Sequence, residues 1–168
     1  RRLLKHHQTL DEVVPWGRSA EEYRRMFALS ADELAGSRIL GCGDGPASFN
    51  AELTAAGGSV VSVDPIYVFD AAAIGRRVDE VFDTVMAQTI DNLDEFVWGP
   101  VVADPDHLAR LRRGAMDRFL ADYPAGRAAG RYVGGELPAL PFADSEFDIA
   151  VCSHFLFLYS QHLSLDFH

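Results

Sequence analysis

Residues 39–64 leave the chain few folds to choose from. Ile39-Leu40 opens an apolar strand, and the turn Gly41-Cys42-Gly43-Asp44-Gly45-Pro46 follows. A helical pattern then carries Phe49, Leu53 and Ala56 until Gly57-Gly58 stops it, and residues 59–64 read as a second strand, β-branched and apolar, ending at Asp64. Strand, glycine turn, helix and strand within about thirty residues make a βαβ unit, because two parallel strands need a crossover helix to close the connection. The fold class is therefore α/β, with a parallel sheet flanked by helices.

The flanking sequence extends this unit in both directions. Ser19-Ala20-Glu21-Glu22 has the spacing of a capping box, with Tyr23, Phe27 and Leu29 on one apolar helix face, so a helix is expected from Ser19. A second box, Ser30 to Glu33, starts a short helix that Gly36 ends, and residues 1–36 form an N-terminal helical segment. Nearly seventy residues separate Asp64 from the next strand, at Tyr132-Val133. An ordinary crossover is much shorter, so residues 66–130 hold an insertion. Ile74, Val78, Val81, Phe82, Val85, Leu93 and Phe96 recur at helical spacing, as do Leu108, Leu111, Ala115, Phe119 and Leu120 after Asp104-Pro105, and two or three helices forming a lid are expected. Residues 147–153 read as a fourth, strongly apolar strand after the turn Ala143-Asp144-Ser145-Glu146.

Composition narrows the function. A chain of 168 residues with 48% hydrophobic and 24% charged residues suits one domain spanning 1–168. A net charge of -10 argues against gripping DNA or RNA through phosphate neutralisation and favours a small or basic substrate. No apolar run approaches the roughly 18 residues needed to span a membrane, and residues 1–7 are not followed by an apolar stretch of signal-peptide length. With Cys42 and Cys152 read as small buried residues at strand ends, a cytoplasmic location is expected. The six histidines show no metal-ligand spacing, and no metal is predicted.

Closely spaced glycines between a strand and a helix let a ligand approach the backbone at the helix N-terminus. Here they are Gly41, Gly43 and Gly45. In the dinucleotide fingerprint G-x-G-x-x-G/A the third small residue would fall on Pro46, which has no N–H, so a nicotinamide-dependent oxidoreductase is the weaker reading. Asp64 lies 23 positions after Gly41, at the end of the second strand, where a carboxylate accepts hydrogen bonds from ribose hydroxyls. Its alternative role is a helix cap or a solvated loop acid.

The G-x-G-x-G turn, Asp64 and the downstream run Gly135-Glu136-Leu137-Pro138-Ala139-Leu140-Pro141-Phe142, followed by Phe147-Asp148, together resemble class I S-adenosylmethionine-dependent methyltransferases. Trp16-Gly17-Arg18-Ser19 with Tyr23, residues 39–50 and Cys152-Ser153-His154-Phe155 resemble a narrower group of bacterial methyltransferases without an assigned substrate. The resemblance implies a Rossmann-like sheet and S-adenosylmethionine as cofactor, with S-adenosylhomocysteine as product. It places Gly41, Cys42, Gly43, Asp44 and Gly45 around the methionine portion, and Asp64, Pro65 and Ile66 by the ribose. Glu136 would accept from the adenine amino group, Leu137 would pack on the ring, and Cys152 and Ser153 would stand at the methyl-transfer end. Methyl transfer to a small-molecule acceptor follows, and His154 is a candidate general base for a hydroxyl or amine nucleophile.

Many members of the resembling family carry an acid two positions before the first motif glycine, where this chain has Ile39. Backbone carbonyls near Gly41 and Cys152 are candidates to hold the cofactor's amino group, and Arg18 is a candidate partner for its carboxylate. The Asn-Pro-Pro-Tyr type of motif is absent after the fourth strand, which disfavours amide and exocyclic base nitrogens as acceptors. Arg110, Arg112, Arg113 and Arg118 read as a solvated helix face or an anion-binding one, and Tyr67, Phe96 and Trp98 as lid core or as aromatic walls beside the sulfonium. The family's full sheet runs 3-2-1-4-5-7-6, whereas four strands in the order 3-2-1-4 are legible here, so a truncated chain is expected, with self-association through the exposed edge of the fourth strand. A SAM-binding module without activity, or one part of a complex, is the alternative to an enzyme.

Overall fold

The computed structural model describes residues 10, 14–93, 99 and 102–153. Its centre is an all-parallel sheet in the order β3-β2-β1-β4. The strands are β1 (Arg38–Cys42), β2 (Ser59–Asp64), β3 (Tyr132–Gly134) and β4 (Ile149–Cys152). The α/β class and the strand order are those the sequence implies. Cys42 stands in register with Val63 on one side and Cys152 on the other, so the carboxyl ends of all four strands share one edge. The chain reverses its direction of strand addition between β1 and β4, and ligands of open α/β sheets bind in the crevice at such a point.

The helices form where the local signals lie. Ser19 and Ser30 each complete a reciprocal capping box, with Glu22 and Glu33, at the starts of α1 (Ala20–Met26) and α2 (Ala31–Gly36). The crossover helix α3 (Phe49–Ala55) links β1 to β2. One sheet face buries Ile39, Val60 and Val151 against Tyr23 of α1 and Phe49 of α3. Fully burying a side chain of this size contributes about 1.5–3 kcal/mol, so the cluster fixes α1 and α3 on the sheet. The opposite face carries Leu40, Cys42 and Val63, covered among the described residues by Leu137, Leu140, Phe142 and Phe147 from the β3–β4 connection.

The insertion contains a 3-10 turn (Pro65–Val68) and the long helices α4 (Ala71–Asp91) and α5 (Pro105–Ala128). Asp70 and Asp104 cap the two long helices, with Pro105 at the first position of α5. Ile66, Tyr67, Ile74, Val78, Met116, Phe119, Tyr123 and Tyr132 make a second core, in which the Tyr123 hydroxyl donates to the carbonyls of Tyr67 and Phe69 at 2.9 and 2.8 Å. The helices expected as a lid thus pack on each other, and α5 also packs on α3 and β3, extending the helical flank.

The fourth strand starts two residues later than its apolarity suggests. Asp148 is spent on the backbone of Arg38, accepting its N–H at 2.7 Å and donating its own N–H to the Arg38 carbonyl at 2.9 Å, while Phe147 packs edge-on against Phe142. The ladder with β1 begins at Ile149. No helix among the described residues is long and apolar enough to cross a membrane. The expectations for Phe96, Trp98, His154 and the helix after residue 160 lie outside the described residues.

Candidate functional site

At the carboxyl edge of the sheet an open cleft is lined by Cys42, Gly43, Val63, Pro65, Gly135, Glu136 and Leu137. It joins the glycine turn, the end of β2 and the loop after β3, three segments far apart in sequence. None of the described residues within 66–130 lines it.

The glycine turn is a closed hydrogen-bonded unit. Gly43 and Gly45 adopt φ of 66° and 53°, a left-handed conformation that other residues rarely take. The Gly43 N–H donates to the Val63 carbonyl at 2.9 Å, the Gly45 N–H to Asp64 Oδ2 at 2.8 Å, the Ala47 N–H to the Asp44 carbonyl at 3.3 Å and the Ser48 N–H to the Arg18 carbonyl at 3.0 Å. Pro46 has no N–H to give. The Gly45 carbonyl in turn accepts from the Tyr67 hydroxyl at 2.6 Å, which ties the turn to the insertion core. The turn therefore offers little of the bare N–H surface that a pyrophosphate needs.

Asp64 holds both of its expected roles in reach. Oδ1 accepts from the Ile66 N–H at 2.9 Å, capping the 3-10 turn, and Oδ2 holds Gly45. Burial pushes its carboxyl up to about 6, opposed by those two backbone bonds. Each carboxylate oxygen keeps a second lone pair for a further donor. Ile66 contributes its N–H to this contact, and its side chain is buried in the insertion core.

Gly41 is a glycine for a reason other than ligand access. A Cβ there would lie 1.9 Å from Asp44 Oδ2, so the Asp44 side chain fills the room that the glycine leaves. Asp44 is buried and turned away from the cleft. Its Oδ1 accepts from the Tyr23 hydroxyl at 2.8 Å and its Oδ2 from the Ser62 hydroxyl at 2.6 Å. Behind Ser62, the Asn50 amide donates to the Ser62 oxygen at 3.1 Å and to the Arg131 carbonyl at 2.9 Å. On the other side the Tyr23 hydroxyl lies 3.1 Å from Ser153 Oγ, just past the end of β4. Burial, and secondarily the charge of Asp64, push the Asp44 carboxyl up to about 6, against the two hydroxyl bonds. Burial likewise holds the Tyr23 hydroxyl well above its ordinary value. Tyr23, Ser62 and Asn50 are not among the candidate site residues, and Tyr67, a candidate aromatic wall or lid core, is buried in the insertion core with its hydroxyl on the Gly45 carbonyl. Tyr23 is legible from sequence as an apolar helix position, and the hint lay in its hydroxyl, which needs a partner once the ring is buried.

The N-terminal segment lies against the turn: a Cβ on Gly17 would sit 2.1 Å from the Pro46 carbonyl oxygen. Arg18 thereby reaches the turn through its carbonyl, while its guanidinium lies 3.5 Å from Glu22. Glu22 also takes the buried Arg112 of α5 at 2.6 Å. Of the four arginines of α5 read as a face, Arg113 pairs with Asp79 at 2.6 Å and Arg118 with Glu52 at 3.5 Å, so three of the four serve ion pairs within the fold. Glu136 is exposed on the far wall, and Leu137 packs beside Cys42 and Val63. Cys42 and Cys152 sit side by side on β1 and β4, and burial pushes the Cys42 thiol up to about 12, which marks it as a packing group and not a nucleophile. No cluster of three or more metal-ligating side chains occurs among the described residues.

Uncharacterized protein MJ0045 of Methanocaldococcus jannaschii is 32% identical over 161 residues, covering 95% of this chain and 71% of that protein. The chain belongs to the MJ0045 family. No protein-family model and no solved structure matches it. In this member of the MJ0045 family Gly43 of the glycine turn, Val63 and Pro65 on either side of Asp64, and the Glu136 loop converge on one cleft.

Proposed function

We propose that the chain binds S-adenosylmethionine at the carboxyl edge of its sheet and transfers the methyl group to a small-molecule acceptor. The observation that carries this reading is the cleft lined by Cys42, Gly43, Val63, Pro65, Gly135, Glu136 and Leu137, where the glycine turn, the end of β2 beside Asp64 and the adenine-side loop meet. The electrostatics of the turn support it. Two buried carboxylates, Asp44 and Asp64, are partnered by hydroxyls and backbone N–H groups and not by a basic side chain. A site with that charge favours a cationic ligand, and S-adenosylmethionine carries a sulfonium and an ammonium against one carboxylate. A dinucleotide would bring two negative phosphates to a turn in which the N–H groups of Gly43, Gly45, Ala47 and Ser48 are already spent.

Because the cofactor brings an activated methyl group, the protein's part is to hold it, align an acceptor with the methyl–sulfur axis and exclude water. Asp64 receives the ribose hydroxyls, Glu136 the adenine amino group, and the apolar surface of Cys42, Val63 and Leu137 takes the ring. Thermal denaturation in the presence of S-adenosylhomocysteine, S-adenosylmethionine and NADH tests the cofactor. Saturating either sulfur ligand at a hundred times its Kd stabilises by about 2.7 kcal/mol, a rise of several degrees in Tm, with no shift from NADH. A shift with NADH alone would overturn the reading. Acceptor-dependent release of S-adenosylhomocysteine then separates an enzyme from a binding module.

A further inference from the structure

We propose that Ser153 reads the protonated amine at the amino-acid end of the cofactor, and that Tyr23 and Asp44, buried behind it, are positioning residues that fix its hydroxyl as a hydrogen-bond acceptor. The inference rests on the S-adenosylmethionine reading and adds to it the group that replaces the acid missing at Ile39.

The argument is an accounting of protons. An ionised carboxylate only accepts, and Asp44 takes one hydroxyl on each oxygen, from Tyr23 at 2.8 Å and Ser62 at 2.6 Å. The phenol has one proton, and it is committed to Asp44. The 3.1 Å contact between Tyr23 and Ser153 Oγ therefore uses the serine's proton, donated to the phenol oxygen. Ser153 keeps only lone pairs for any other partner. The same direction holds on the opposite arm, where Asn50 donates to Ser62 and Ser62 donates to Asp44. The two hydroxyls that touch the buried charge, Tyr23 and Ser62, both donate inward to it.

The position of Ser153 turns this polarity into recognition. It follows Cys152, which is in register with Cys42, and the residue after Cys42 is Gly43, on the wall of the cleft. A hydroxyl restricted to accepting, backed by a buried carboxylate, matches a donor that carries positive charge and rejects an acceptor in the same place. Ile39 is fully buried in the core and presents nothing polar, so the negative charge has been moved behind the sheet edge and its effect is passed outward through two hydroxyls.

The test is calorimetric titration with S-adenosylhomocysteine and with 5′-methylthioadenosine, which lacks the amino-acid end, on the unaltered protein, Tyr23→Phe, Ser153→Ala and the double variant. Tyr23→Phe keeps the ring that stacks on Phe49 at 4.5 Å, and circular dichroism of each variant checks that it is folded before titration. The unaltered protein should prefer S-adenosylhomocysteine, and each single variant should lose about tenfold of that preference, the worth of one hydrogen bond to a charged group, with methylthioadenosine affinity unchanged. The double variant should lose no more than either single one. A preference that survives in both single variants, or no preference at all in the unaltered protein, would overturn the role of Ser153 and leave the cofactor reading standing. Failure of the unaltered, folded protein to bind either ligand would overturn the cofactor reading itself, and this inference with it.

Discussion

The two walls of the cleft are built on opposite plans. On the turn side, Gly43, Gly45, Asp44 and Asp64 are locked by hydrogen bonds to partners on α1, β2 and the insertion, and the polar atoms have fixed directions. On the β3–β4 side, Glu136 is exposed, Leu137 is half-buried, and the loop rests on apolar contacts with Leu40, Cys42 and Val63. The first wall pays its ordering cost on folding and meets a ligand preorganised, while the second adjusts to it. Under the proposed function, charge and ribose are recognised by the rigid wall and the base is held by the adaptable one.

The largest contrast should appear in stability. Gly41→Ala drives a Cβ to within 1.9 Å of Asp44 Oδ2, in a network that cannot yield without breaking two buried hydrogen bonds, and should cost about 3 kcal/mol or more. Gly135→Ala meets Val63 at 3.0 Å, where a small shift of a side chain suffices, and should cost about 1 kcal/mol. Equal urea midpoints for the two variants would erase the distinction between the walls.

Protonation sharpens it further. Asp44 is pushed up to about 6 from an ordinary value of 3.8, so the folded state disfavours its charge. The stability tied to this group is fully present below about pH 3.8 and is lost as pH rises through about 6. Replacing the acid by Asn removes that dependence, so the stability of the unaltered protein relative to Asp44→Asn should fall by roughly 2 kcal/mol between pH 4 and pH 7. Denaturation of both proteins across that range measures the difference, and parallel profiles would show that Asp44 is not a strained charge.

A smaller contrast should appear in binding. Asp64→Asn sets an amide N–H against the backbone donors of Gly45 or Ile66 and should weaken S-adenosylhomocysteine by about tenfold or more. Glu136→Gln, on an exposed loop, keeps one acceptor oxygen and should weaken it only about two- to threefold. Titration of both variants gives the ratio, and a larger loss at Glu136 would reverse the assignment of the rigid wall.

The parts of this molecule that sequence made legible are those written in local pattern. Residues 59–64 form the second strand as read, the boxes at Ser19 and Ser30 cap two helices, and the long crossover to Tyr132 holds α4 and α5. The convergence of Gly43, Glu136 and Leu137 on one cleft also follows from parallel strands ending at one edge. The polar chain behind it was not legible, because Tyr23 and Asp44 are 21 positions apart and Tyr23 and Ser153 are 130 apart, and no local period links them. The same holds for Gly41, whose spacing suggests room for a ligand and whose actual neighbour is a side chain three residues on. Strand four was read long because Phe147 is apolar, and the side chain of Asp148, bound to Arg38, stopped the ladder.

The central claim is that the turn side of the cleft recognises S-adenosylmethionine, and calorimetric titration of the unaltered protein and of Asp64→Asn with that ligand addresses it most directly. The account predicts saturable one-site binding in the micromolar range, weakened about tenfold or more by the substitution, with both proteins folded. No heat of binding from the folded, unaltered protein, or equal affinity in the two proteins, would contradict it.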